Sequence, residues 1–139
     1  MSDLTTAEGF NAAAKEHFPG YLSIAMTHVE HGKAEGEMRV GPQHLTPTGY
    51  LHGAAVVGLA DTVCGSGCQG SKPEGAVGFT TIELKCNYMG TATSGTVTCS
   101  ARMIHGGRTT QVWDADVARE DGKVIASFRC TQMVLRHKP

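Results

Sequence analysis

The stretch spanning residues 52–69 limits how this chain can fold more than any other feature. It is built almost wholly from small and apolar residues, contains no proline, and carries one charge, Asp61, which is also the only charged residue between Arg39 and Lys72. Such a run is expensive to leave in water and predicts a helix buried along most of its circumference. Gly58, Gly65 and Gly67 lie inside it or near its end, and each costs about 1 kcal/mol relative to alanine in a helix. Some neighbouring element must therefore pass close to the helix backbone at those points. Asp61 sits among Val57, Leu59, Ala60, Val63 and Cys64, where desolvation disfavours the ionised carboxyl unless donors or an opposite charge compensate. A lone acid in that setting is a candidate for chemistry; the bland alternative is a carboxylate that keeps one helix face wet.

The flanking segments tell what this helix is buried against. Leu4, Ala7, Phe10, Asn11 and Ala14 have helical spacing across residues 4–17, with Thr5 or Thr6 as the N-terminal cap and Pro19-Gly20 as the stop. Leu22, Ile24, Met26 and His28 alternate, His31-Gly32-Lys33 makes a turn, and Glu37 to Val40 returns, which predicts a hairpin. A loop rich in Pro and Gly then leads to the central helix. Beyond it, four strands are expected at 77–88, 94–104, 110–119 and 123–135, joined by short turns of which Asp121-Gly122 is the strongest signal. Val97, Cys99, Ala101 and Met103 form one alternating face; Val124, Ala126, Phe128, Cys130 and Val134 form another, interrupted only by Gln132. The expectation is one α+β domain over residues 1–139, with the long central helix covering an antiparallel sheet whose last four strands run as a meander, and an N-terminal helix beside it.

Composition narrows the function classes. A formal net charge of −1 over 139 residues leaves no basic stripe for nucleic acid. No apolar run reaches the roughly 18 residues that cross a bilayer, and the N-terminus lacks the basic-then-hydrophobic order of a signal peptide, so a cytoplasmic protein is expected. The five cysteines (Cys64, Cys68, Cys86, Cys99, Cys130) are odd in number and lie mainly in apolar segments, as buried thiols do. Cys64 and Cys68 are one turn apart, but no second pair completes a zinc site, and no metal is expected. His17, His28, His31, His44 and His137 are scattered, as surface or hydrogen-bonded histidines are.

His52 and Gly53 begin the central helix, and Asp61 follows Gly53 by eight residues, about 12 Å of axial rise. A reaction at a carbonyl needs an oxyanion donor and a base or nucleophile within about 3 Å of nearly the same atoms. One helix cannot offer its own first turn and its own Asp61 to a single carbonyl. Two copies running antiparallel can, so using both features implies a composite site at a two-fold interface. His52 and Asp61, nine residues or about 900° of rotation apart, lie on opposite faces and form no dyad within one chain.

The run Gly49-Tyr50-Leu51-His52-Gly53-Ala54, continued by Leu59-Ala60-Asp61-Thr62 and by the strand from Thr80 to Met89, resembles the hot-dog-fold acyl-CoA thioesterases of the phenylacetate-degradation (PaaI-like) branch. The resemblance implies a hot-dog fold and hydrolysis of an acyl-CoA thioester. It implies Asp61 as general base or nucleophile, the Gly53 amide as the group polarising the thioester carbonyl, His52 as a shape and hydrogen-bonding element of the turn, and Thr81 as a hydroxyl near the attacking water. Thr46 stands where relatives often place Asn or Gln, and Ala54 replaces a second glycine. Arg108 with Gly107 matches a place where relatives meet the nucleotide of coenzyme A. Tyr50, Leu51, Val57, Cys64, Phe79 and Met89 are candidates for the acyl pocket. No cofactor beyond the substrate's own coenzyme A is implied, and the assembly implied is a homo-oligomer, a dimer or a dimer of dimers.

Two other readings fit the same residues. A hot-dog dehydratase or hydratase of hydroxyacyl thioesters would pair His52 and Asp61 across a dimer and would make a double bond rather than release a thiol. A non-catalytic acyl-CoA binding module would hold the ligand and release none.

Overall fold

The computed structural model describes residues 2–139. In chain order the elements are α1 (Ala7–Ala14), α2 (Phe18–Tyr21), β1 (Ile24–Glu30), β2 (Lys33–Arg39), a 3-10 turn (Pro42–His44), α3 (Gly53–Gln69), β3 (Ala76–Tyr88), β4 (Thr96–Gly106), β5 (Thr110–Ala118) and β6 (Val124–Arg136). All six strands join one antiparallel sheet in the order β1-β2-β4-β5-β6-β3, and α3 packs across its inner face against every strand.

The expected helix at 52–69 is there, with His52 as its N-cap. Leu59, Ala60, Val63, Cys64 and Cys68 of α3 are fully buried against inward residues of the sheet such as Trp113, Phe128 and Val97. The three glycines of α3 mark the close approaches that their cost implied. A Cβ at Gly58 would meet Leu22 at 2.9 Å, one at Gly65 the Phe79 ring at 3.1 Å, and one at Gly67 the Trp113 ring at 2.5 Å. Trp113 is anchored there: its Nε1 donates to Gln111 Oε1 at 2.8 Å, and Gln111 Nε2 donates to the Ser71 carbonyl just beyond the helix.

Two expectations need correction. The N-terminal helix is shorter than 4–17: Thr6 caps α1 by accepting from Gly9 N, and Pro19 does not stop a helix but sits in the first turn of α2, where a missing N–H costs nothing. More consequentially, the last four strands are not a simple meander. Only β4-β5-β6 is; β3 pairs with β6 and forms the far edge, while the β1-β2 hairpin joins through β4. The connection after β3 is what allows this. Met89 N and Gly90 N both donate to the Ile125 carbonyl, Leu51 N donates to Ala92 O, and Val40 N donates to Gly95 O. The chain therefore leaves the β6 side, crosses the start of α3 and reaches the end of β2 before β4 begins.

The five cysteines are free thiols; four are buried and Cys86 half-buried. His44 is buried with both ring nitrogens engaged, Nδ1 accepting from Gly41 N and Nε2 2.6 Å from the Leu22 carbonyl. No helix among the described residues is long and apolar enough to cross a membrane.

Candidate active site

Asp61 lies on the face of α3 that looks toward β3 and the N-terminal helices. It borders a cavity of about 280 Å³ whose other walls are Leu4, Phe10 and Pro19 from the N-terminal segment, Gly65 and Ser66 from α3, and Phe79 and Thr81 from β3. Phe79 reaches the helix because Gly65 has no side chain to stop it. Thr62 and Gln69 of α3 complete the lining, so the slot is largely apolar with polar groups from Asp61, Thr62, Ser66, Gln69 and Thr81; the Ser66 hydroxyl has no hydrogen-bond partner among the described residues.

The Thr81 hydroxyl donates to Asp61 Oδ1 at 2.8 Å. That aim depends on an irregularity in the sheet: Thr81 pairs with Gln132, but the next paired residue is Glu83 with Thr131, so Ile82 is an extra residue in β3. Bulges of this kind re-aim a side chain and are common beside active sites. No cation pairs with Asp61 among the described residues. The donor that the desolvation argument required is a neutral hydroxyl.

The two thiols of α3 are no rival nucleophiles. Cys64 is pushed well above the ordinary thiol range by its contact with Cys130 and then by burial, and burial raises Cys68 to about 11. Both stay protonated near neutrality. No group of three or more His, Cys, Asp or Glu among the described residues is arranged to hold a metal.

At the start of α3, His52 Nδ1 accepts from Ala54 N at 2.9 Å, and the His52 carbonyl accepts from Ala55 N and Val56 N. The Gly53 N–H is left with no acceptor among the described residues, as the first amide of a helix is unless something outside supplies one. Tyr88 Oη donates to the Gly53 carbonyl at 2.8 Å, and its ring fills the space that a Cβ at residue 53 would need.

The structure brings Asp61, Thr81 and Phe79 together at the cavity, which none of the other sequence-chosen residues lines. Leu51 and Cys64 belong to the core and Val57 packs against it. Tyr50 and Met89 are exposed. Thr46 lies in the preceding loop, its hydroxyl 2.9 Å from that of Thr48 and accepting from Tyr50 N. Arg108 is exposed in the β4-β5 turn closed by Gly107 N donating to Thr110 O. Two contributions escaped the sequence reading. Leu4, Phe10 and Pro19 wall the cavity, which the helical spacing of Leu4 and Phe10 hinted at without saying what they face. Gln132 touches Thr81, and its signal was the break it makes in the apolar face of β6.

Residues 48–126, from the loop before α3 into β6, match the family model described as Thioesterase superfamily. The chain is 31% identical over 130 residues to a 1,4-dihydroxy-2-naphthoyl-CoA hydrolase of Escherichia coli, covering 94% of this chain and 95% of that one. It is 32% identical over 130 residues to the proofreading thioesterase EntH of Klebsiella pneumoniae, covering 94% of each. Among solved structures, a mutant thioesterase from Pseudomonas aeruginosa superposes with a TM-score of 0.88 at 31% identity, over 93% of both chains. The sheet wrapped around one long helix is the hot-dog fold of these thioesterases.

Proposed function

The chain belongs to the thioesterase superfamily, and from that premise we propose that it hydrolyses an acyl-CoA thioester to the free acid and coenzyme A, with Asp61 as base or nucleophile and the amide of the partner subunit's Gly53 polarising the carbonyl. The observation that carries this reading is the separation of two complementary groups on one helix. Asp61 has a donor on Oδ1 and borders an apolar cavity; Gly53 has an unused N–H at the positive end of the same helix. Eight residues, about 12 Å, divide them, so each must be completed by another copy.

The edge strand offers the means. β3 has one unpaired side and exposes Ile82, Leu84 and Tyr88, an arrangement that invites pairing with another strand. It runs antiparallel to α3, with Thr81 beside Asp61 and Tyr88 beside Gly53. Antiparallel pairing of two β3 edges about a two-fold axis near Leu84 and Lys85 would set Thr81 of one chain near the partner's Tyr88. Asp61 would then face the partner's Gly53 across the interface.

In the general-base form of the reaction Asp61 takes a proton from water as the oxygen adds to the thioester carbonyl. The Gly53 amide receives the growing oxyanion, and the C–S bond breaks with the electron pair leaving on sulfur. In the nucleophilic form a carboxylate oxygen of Asp61 attacks the carbonyl, the thiolate leaves, and water hydrolyses the mixed anhydride. Either way a thiolate is a good leaving group and needs little acid assistance, so a single carboxylate suffices. His52, whose Nδ1 is occupied as a helix cap, shapes the turn. Arg108 suits the phosphates of coenzyme A, Thr46 takes the place of the amide side chain of PaaI-like relatives, and the assembly is a dimer or a dimer of dimers acting in the cytoplasm.

Subunit mixing tests the composite site. Asp61→Asn and Gly53→Pro each remove one half; proline is tolerated at the first helical position and deletes the N–H, and its ring also displaces the exposed Tyr88 side chain. Each variant alone should lose at least roughly 10²-fold in thiol release. After unfolding and refolding together, heterodimers should recover one intact site each, about a quarter of parental activity for random pairing. No recovery from well-folded mixtures sinks the shared site.

A further inference from the structure

Gln132 is a fully buried carboxamide on the inward face of β6, where its neighbours along the strand are Cys130 and Val134. An apolar residue would fill that place more cheaply, because a buried amide is costly unless its donors and acceptors are used. Cross-strand pairing sets it directly beside Thr81 on β3. Its carboxamide oxygen lies 3.0 Å from Thr81 Oγ1, which is itself 2.8 Å from Asp61 Oδ1, and its nitrogen lies 3.3 Å from Cys130 Sγ.

A threonine hydroxyl has one proton. With the carboxamide oxygen toward Thr81, that proton faces two acceptors, and only one can be served. The two ends of a carboxamide have nearly the same shape, so the hydrogen-bond chain decides which end faces where. Turned over, the Gln132 N–H donates to Thr81 Oγ1, the Thr81 O–H donates to Asp61 Oδ1, and the Cys130 S–H donates to the Gln132 oxygen. One Gln132 N–H, the Gln132 oxygen and the Thr81 hydroxyl are then all used in one directed chain, and each bond polarises the next.

We propose that Gln132 is a positioning residue of this thioesterase: its amide N–H commits the single Thr81 proton to Oδ1 of Asp61, fixing the carboxylate so that its other oxygen is the one presented to water or to the thioester. The proposal rests on Asp61 being the base or nucleophile. Gln132 touches no substrate and acts only through Thr81.

Kinetics of Gln132→Met, Thr81→Val and the double variant test it. Gln132→Met keeps the length of the side chain and removes its donors; kcat should fall roughly five- to tenfold, the scale of one hydrogen bond, with KM within about twofold. In the Thr81→Val background the same substitution should change kcat by less than about twofold, because the route through Thr81 is already cut. Equal losses in both backgrounds, or a loss carried by KM, overturn the proposal. A measurement independent of turnover compares the parent protein with Asp61→Asn, both with Gln132 intact and 15N in the glutamine side chains: the Gln132 amide resonances should move when the charge at the end of the chain is removed. Resonances that do not move overturn it as well, and this arm holds even if Gln132→Met does not fold. If instead Asp61→Asn retains full turnover, it is the base-or-nucleophile reading that fails.

Discussion

Two aspartates of this chain are held in opposite ways. Asp114, on the outer face of the sheet, is gripped by Arg129 through both carboxylate oxygens, with Arg102 3.6 Å from Oδ2. The hydrogen bond from Arg129 holds its carboxyl below the ordinary aspartate range. Asp61, on the inner side, has one hydroxyl donor and no cation among the described residues, and a cavity in front of it. The difference separates a structural carboxylate from one available for reaction. Asp114 has both oxygens occupied and its charge neutralised, which suits a clasp between β5 and β6 and leaves nothing to offer a substrate. Asp61 is oriented by a neutral partner, so its charge and one oxygen remain uncommitted in a largely apolar slot, where a carboxylate acts on a carbonyl most strongly.

The largest effect expected from this contrast is Asp61→Asn. It keeps the shape and can still accept from Thr81, but it can neither take a proton nor attack as an anion. Thiol release should fall at least roughly 10²-fold in kcat while the thermal midpoint stays close to that of the parent. Full turnover would mean that the cavity carboxylate is as idle as Asp114. A smaller loss is expected when Asp61 is made to resemble Asp114. Thr81→Lys would put an ammonium beside the carboxylate in place of a hydroxyl, neutralising the base and weakening its pull on a proton. A fall of roughly tenfold in kcat is expected; an unchanged rate would show that an unpaired charge is not what the site requires.

The contrast also bears on what could be read without a structure. The inner carboxylate was legible because α3 is otherwise free of charge, so one Asp among small and apolar residues stood out, and Gly58, Gly65 and Gly67 told that other elements press on that helix. The edge position of β3 was not legible. Period-two patterning says that 76–88 is a strand but not which strand it pairs with, and the connection that carries the chain across the start of α3 is fixed by backbone bonds to Ile125, Leu51 and Val40 that leave no mark in side-chain pattern. Thr81 was legible only through the family resemblance, as a hydroxyl near the attacking water; that its hydroxyl meets Asp61 itself depends on the bulge at Ile82, which no local signal announces. Gln132 had left a trace, an amide in an apolar row, but a single polar residue in a buried face has many structural explanations until its neighbour across the strands is known. Asp114, by contrast, draws its meaning from cross-strand register: Asp114 lies opposite Arg102 on β4 and Arg129 on β5's other side, in β6.

The smallest effect concerns the clasp. Asp114→Asn should leave thiol release within about twofold of the parent, because the residue lies on the face of the sheet away from α3, and should lower the thermal midpoint by a few degrees near neutral pH. Its dependence on pH follows from the direction of the shift. A carboxyl held low in the folded chain contributes stability in full above the ordinary value of about 4, and loses it as pH falls through the lower folded value. The gap in thermal midpoint between variant and parent should therefore be constant from neutrality down to about pH 4 and close below it. Because Arg102 and Arg129 remain largely exposed, added salt should narrow the gap at every pH. A gap that persists at pH 2 would assign the stabilisation to packing of the Asp114 side chain rather than to its charge, and a matching loss of thiol release would mean that the outer face is coupled to the cavity after all.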